Sequence, residues 1–380
     1  MKVLVITHHR LIGHFNGAVT RIRHLAEQLA CRGADVSICA YISPKFRPIA
    51  PRELVPGCQY FEVRNQLQWG DGFFSYFGLP PYSTTSFLNR LMPLSHLKRP
   101  LYDVVISESP FLWQIAKRVS GRIKVLSAHN HEAAYHDTFS SRALALLRQN
   151  EFQAIREADG IVSVAEIDAQ VFRSINPQVP IFTVPNGFER LAPPLLESKK
   201  QISAQLKNRW GIPPNHQVAL LIASNSKHNQ RGLKALKSLF SKSELQSRWT
   251  LLVVGDVQTC DSLPNNVIAC GLQPDLVPFL AGSDLALNPV VSGSGSNVKL
   301  MEYLGHGLPV LTTPFGMRGY NFPLKGVYME PSECFEHRLI REIEWATPDP
   351  KELVPYEWAS LGKSLFETLQ SLLQSRKTFR

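Results

Sequence analysis

The chain has 380 residues, 44% hydrophobic and 19% charged, with 41 Lys/Arg against 31 Asp/Glu and a formal net charge of +10. That length exceeds what one hydrophobic core ordinarily supports, so two domains are expected, and no run of about 18 apolar residues is present to span a membrane. The basic excess is spread over both halves, 21 Lys/Arg against 15 Asp/Glu up to residue 190 and 20 against 16 after it, which excludes a dedicated nucleic-acid tail and fits anionic ligands or an anionic lipid surface.

The opening MKVLVITHHR has too short an apolar stretch for a signal peptide and no small-residue cleavage site, so a cytoplasmic location is expected. Lys2–Thr7 reads as a first strand, Ala18–Arg32 as a helix and Asp35–Tyr41 as a second strand. Residues 66–100 are aromatic, punctuated by proline and basic at the end, with no clear period. Such a segment, Phe73 and Phe74 included, suits either an irregular loop packed on its own domain or a peripheral contact with the inner membrane face. Strands are expected at Asp103–Ser107, Lys124–Ala128, Gly160–Val164 and Ile181–Val184, with helices at Phe111–Val119, Arg142–Ala158 and Glu166–Ser174. Alternation of this kind predicts a doubly wound parallel sheet.

Residues 185–200, with the Asn186-Gly187 turn and later prolines, break both periodicities and read as a linker. The alternation then restarts after Pro213, with strand-like VALLIA, TLLVVG, VIACG, DLALN, PVLTT and GVYM separated by helical patterns at Gly232–Phe240, Pro274–Ala281, Val298–Leu304 and Pro331–Trp345. A last amphipathic helix, Tyr356–Ser375, has no strand after it to cover. The expected organisation is thus two α/β domains, 1–187 and 188–355, followed by a helix over 356–380. The six cysteines, at 31, 39, 58, 260, 270 and 334, contain no Cys-x-x-Cys pair, so neither a zinc site nor a disulfide framework is indicated and all are expected to be reduced core residues.

Three places carry chemistry. The first strand ends in THHR and enters LIGHFNG, where Gly17 suits either a structural or a ligand-binding turn, while His8 and His9 read as packing residues. This is not G-x-G-x-x-G, and the second strand runs into Ala40, Tyr41 and Ile42 without the expected acid, which disfavours dinucleotide binding. The second place, AHNHEAAYHD, brings His129, Asn130, His131, Glu132, His136 and Asp137 to a strand end. Histidines there suit proton relay or hydrogen bonding to a sugar hydroxyl, or serve structure alone, and no recognised metal-ligand spacing occurs. The third, Pro289–Thr313, holds the small run from Ser292 to Asn297, then Val298, Lys299 and Glu302. Its N–H groups can approach a phosphate at the start of a helix, with Lys299 adding charge and Glu302 one turn further on the same face.

VLSAHNHE, then IREADGIVSVAE, VPNGF, GLQPDLVPFLAGSDLALNPV and VKLMEYLGHGLPVLTT occur in order along the chain. In this set the sequence resembles the family-4 glycosyltransferases of the two-Rossmann GT-B fold. The resemblance implies a nucleotide-sugar donor held by the second domain, a glycan, lipid-linked or small-molecule acceptor held by the first, retention of anomeric configuration, and neither cofactor, resident metal nor nucleic-acid partner. Asp-x-Asp, the metal-holding pair of many other glycosyltransferases, is absent. By the same resemblance, Glu302 holds the ribose hydroxyls, Lys299 and the N–H groups of Ser294 to Val298 meet the diphosphate, and His129 sits near the donor sugar. Gly17 lets donor phosphate or acceptor approach, and Gly293, Ser294, Gly295, Ser296, Asn297 and Val298 form the glycine-rich variant of the donor loop. Ser294 stands where the family's first donor-site glutamate would be. In SNSKHNQRG, beside Asn225, Lys227 or Arg231 replaces the usual Arg and Lys of the diphosphate loop. A nucleotide-sugar epimerase and a non-catalytic subunit of the same fold remain open at this point.

Overall fold

The computed structural model describes residues 1–13, 17–65, 101–136, 141–189, 199–257, 262–341 and 344–378, together with Asn89, Leu94 and Leu97. Apart from those three residues, the proposed membrane-facing segment 66–100 therefore lies outside the described residues, as do most of the expected linker, Asp137 and Cys260. The chain divides into two compact units. The first comprises Met1–Asn186, Ser294–Ser296 and Trp358–Arg380, and the second Gly187–Gly293 and Asn297–Glu357.

The first unit is built on eight strands: β1 (Lys2–Thr7), β2 (Asp35–Ile42), β3 (Arg52–Val55), β4 (Cys58–Arg64), β5 (Tyr102–Ser107), β6 (Gly121–Ala128), β7 (Gly160–Ser163) and β8 (Ile181–Thr183). Their order in the sheet is β3-β4-β2-β1-β5-β6-β7-β8, parallel throughout except for β3 against β4. β1 is an unbroken apolar run because both faces are covered. Val3 and Val5 join one core with Ile22, Leu25, Trp358, Leu365 and Leu369, while Leu4 and Ile6 join the opposite one with Trp113, Ile155 and Phe172.

The helix Trp358–Thr378 packs within this unit against Gly17–Cys31. A Cβ on Gly362 would lie 2.2 Å from the Gln28 Cβ, and His24 stacks on Trp358 at 5.1 Å. Two features depart from the expected pattern. β3 and β4 form an unforeseen hairpin turned at Gly57 (φ 71°), and the helix expected over Phe111–Val119 is a 3₁₀ turn, Pro110–Leu112, followed by one α-turn, Trp113–Ala116. Cys39, Cys58 and Cys270 are buried, whereas Cys31 and Cys334 are exposed, which corrects the core assignment for those two. Cys31 ends its helix and Cys334 lies in a 3₁₀ turn.

The second unit has six parallel strands in the order β11-β10-β9-β12-β13-β14: β9 (Gln217–Ile222), β10 (Trp249–Val254), β11 (Val267–Gly271), β12 (Leu285–Asn288), β13 (Val310–Thr312) and β14 (Val327–Met329). Alternate residues again serve two cores, Leu220, Leu252 and Ala286 on one side, Leu221, Leu251 and Leu287 on the other. The helix Lys227–Phe240 starts five residues before the expected Gly232, because Ser226 caps it by accepting the Asn229 N–H at 3.2 Å. The helix expected over Pro331–Trp345 is short, with a 3₁₀ turn at Ser332–Cys334 and an α-helix at Phe335–Ile340.

Candidate active site

In the second unit β9 lies between β10 and β12, so the segments leaving β9 and β12 diverge over the carboxyl ends of the sheet. Such a switch point is where open α/β sheets bind ligands. The β9 side supplies Ser224 to Ser226 and the first turn of Lys227–Phe240. From β12 come Pro289 to Gly293, and Asn297 leading into the helix Val298–Gly305.

Lys299, in the first turn of that helix, is held by a side chain from the β9 side. Its Nζ donates to Asn229 Oδ1 at 3.2 Å, and Asn229 is held as an acceptor because its own amide donates to the Ser224 carbonyl and hydroxyl at 2.9 and 3.0 Å. Burial pulls the Lys299 ammonium down to about 8, against the opposing pull of Glu302 and Asp256. Glu302, one turn along, is pushed up by burial and drawn back by Lys299. Both are half-buried.

Around them, Asn225 donates its N–H to Asp256 at 2.8 Å and accepts from Gln230 at 2.7 Å. Arg231 donates to the Ser292 hydroxyl at 3.3 Å, which also lies 2.7 Å from His228 Nδ1, while Lys227 is exposed. Gly293 has φ 125°, and a Cβ there would meet the Arg318 guanidinium at 3.4 Å. Asn297 donates to Asn288 at 2.8 Å, its carbonyl accepts from Tyr320 at 3.0 Å, and Val298 begins the helix.

In the first unit the equivalent switch point lies between β1 and β5. His129, just beyond β6, places Nε2 2.6 Å from an oxygen of Glu108, just beyond β5. Burial pushes the Glu108 carboxyl up, but the hydrogen bond and charge of His129, the charge of Arg21 and a hydrogen bond from Ser127 outweigh it and leave it below the usual range. His8 and His9 have ring centroids 4.1 Å apart, and His9 is 6.4 Å from His129. Burial, followed by His9 and His129, holds His8 well below the ordinary imidazole range, so it is neutral at pH 7. Gly17 is the first residue of the helix Gly17–Cys31.

The remaining loop residues belong to this first unit. Ser294 Oγ accepts the His131 N–H at 2.9 Å and donates to Asp168 at 3.1 Å, and the Gly295 N–H donates to the other Asp168 oxygen at 3.1 Å. Gly295 has φ 75°, and a Cβ there would fall 2.5 Å from the His129 carbonyl. Ser296 Oγ accepts from the Asn186 backbone and amide at 3.1 and 2.8 Å. The expectation that N–H groups from Ser294 to Val298 all face a phosphate is therefore narrowed, since Gly295 gives its N–H to Asp168. A glutamate at 294 would meet that buried carboxylate with a second negative charge, which gives a physical reason for the serine.

Of the residues expected, Asn225, Lys227, Arg231, Gly293, Asn297, Val298, Lys299 and Glu302 share one end of the second unit. Gly17, His129, Ser294, Gly295 and Ser296 belong to the first. His131 and His136 face Glu151 and Glu132 at 3.7 and 3.5 Å rather than His129. Glu108, Asp168, Asn229 and Arg318 were not singled out by sequence. Among the described residues no group of three or more His, Cys, Asp or Glu side chains is set to hold a metal ion, and no helix is long and apolar enough to cross a membrane.

The family model for Glycosyltransferase Family 4 matches residues 15–190, and that for Glycosyl transferases group 1 matches residues 217–331. The chain is a family-4 glycosyltransferase. No curated protein matches this glycosyltransferase in sequence. Among solved structures it is similar to the α,α-trehalose 6-phosphate synthase of Burkholderia multivorans, at TM-score 0.69 and 13% identity, covering 100% of this chain and 98% of that one. It is also similar to HepE of Anabaena in complex with UDP and glucose, at 0.59 and 16%, covering 100% and 99%. A third is WaaG, a glycosyltransferase involved in lipopolysaccharide biosynthesis, at 0.57 and 16%, covering 99% and 98%. At these identities the likeness shows the fold, two parallel-sheet α/β domains of GT-B type.

Proposed function

We propose that this glycosyltransferase moves a sugar from a nucleoside-diphosphate sugar to a hydroxyl of a glycan, lipid-linked or small-molecule acceptor, with retention of configuration and without a resident metal. The observation that carries the reading is Lys299, half-buried at the switch point of the second unit and held by Asn229 at 3.2 Å. Breaking the anomeric C–O bond leaves negative charge on the nucleoside diphosphate, and a fixed cation aimed at that charge stabilises the transition state more than the ground state. Arg231 and Lys227 add charge on the β9 side, and in this reading Glu302 accepts hydrogen bonds from the ribose hydroxyls. The UDP and glucose bound by HepE support a nucleotide-sugar donor, and WaaG's part in lipopolysaccharide biosynthesis supports a glycan acceptor. Retention rests on the family resemblance, and metal independence on that resemblance together with the lack of Asp-x-Asp.

The test is release of nucleotide from a panel of UDP-, GDP- and ADP-sugars with acceptor extracts, with EDTA or Mg²⁺ added. Lys299→Ala should lower turnover by about 10². In the parent, kcat/KM should fall as pH rises through about 8, where free Lys299 loses its proton. No release from any donor would end the transferase reading, an EDTA-sensitive rate its metal-free part, and an inverted product anomer the retention.

A further inference from the structure

Glu108 is buried, 5% exposed, and its backbone N–H donates to the Ile6 carbonyl at 2.9 Å, which fixes the residue at the end of β1. One carboxylate oxygen lies 2.6 Å from His129 Nε2. An ionised carboxylate can only accept, so the shared proton resides on the ring, and a neutral imidazole carries just one. The groups facing the pair are Arg21 from the helix Gly17–Cys31, Ser127 from β6, and His8 and His9 from the segment after β1. Arg21 and Ser127 favour the ionised carboxylate.

We propose that Glu108 is a positioning residue for sugar transfer: by accepting the Nε2–H of His129 it fixes a single tautomer, in which Nδ1 accepts a hydrogen bond from a sugar hydroxyl. The hydroxyl half rests on the function proposed above, whereas the tautomer half does not. In other enzymes a carboxylate behind a histidine sets which nitrogen meets the substrate in the same way. Glutamine at 108 keeps the shape but can present either an oxygen or an amide to the ring, so the tautomer would no longer be dictated.

The experiment uses the full chain with ¹⁵N-labelled histidine. The His129 resonance is assigned by its loss in His129→Phe, and the other 11 of the 12 histidines report whether each variant keeps the fold. The parent should show His129 as the Nε2–H tautomer, and Glu108→Gln should show a mixture or the opposite one. With a turned-over donor, Glu108→Gln should lower kcat about tenfold, the worth of one hydrogen bond to a substrate hydroxyl, with UDP affinity unchanged. An Nδ1–H tautomer in the parent would overturn the proposal even if the variant failed to fold. So would an unchanged tautomer in Glu108→Gln, or a changed tautomer with unchanged turnover. A parent that turns over no nucleotide sugar would remove the hydroxyl role along with the transferase reading, leaving the tautomer to be decided by the spectrum.

Discussion

Glu151 accepts the Glu132 N–H at 2.8 Å with one oxygen, while the other has no hydrogen-bond partner among the described residues and sits 3.7 Å from His131 Nε2. Burial, together with the charges of Glu132 and Asp168, pushes its carboxyl up to about 8. The folded state therefore holds this proton where the unfolded chain has lost it. That contribution to stability is complete below about 4.5 and disappears as pH rises through about 8. Glu151→Gln, neutral at every pH, should flatten the fall in melting temperature between pH 5 and 8 and melt above the parent at pH 8, by roughly 2–4 °C per kcal/mol regained. Parallel melting curves across that range would show that Glu151 is ionised in the fold. At this scale the sequence exposed Lys299, Glu302 and His129, because each sits in a recognisable local pattern. Glu108, Asp168 and Asn229 stayed hidden because their partners arrive only by folding: Glu108 lies 21 residues from His129, and Asn229 is 70 from Lys299.

Among the elements, the helices Gly17–Cys31 and Trp358–Thr378 approach so closely that Gly362 has no room for a methyl group beside Gln28. Gly362→Val should push them apart and cost about 1–3 kcal/mol by overpacking, read as a lower urea midpoint. An unchanged midpoint would mean the pair gives way freely. Central strands were legible because a strand covered on both faces is an unbroken apolar run, as in KVLVIT and TLLVV. The β3–β4 hairpin was overlooked although CQYFEVR alternates buried with more exposed positions and Pro56-Gly57 marks its turn. That edge follows a period of two, unlike the unbroken apolar runs of the parallel strands beside it. Around Phe111 the apolar spacing was real, but the segment before Gly121 folds as a 3₁₀ turn, Pro110–Leu112, and a single α-turn, Trp113–Ala116, rather than as one continuous helix.

The molecule as a whole is two units, each with its own sheet and its own pair of cores, and the residues proposed to bind the donor beside Lys299 belong to the second. A nucleoside diphosphate at about 100 times its dissociation constant should stabilise the state that binds it by about 2.7 kcal/mol. Thermal scans with UDP, GDP and ADP should thus show one base raising the midpoint, an effect absent in Lys299→Ala; equal shifts in parent and variant would place the nucleotide elsewhere. The helix Trp358–Thr378 carries a different consequence. It supplies Trp358, Leu361, Leu365, Leu369 and Leu372 to a core whose other members precede residue 187. During synthesis at about 5–20 residues per second, that core must wait roughly 10–40 s after its last strand has been made. Until then the first unit offers an open apolar face, so its assembly is timed by how quickly the ribosome completes the second.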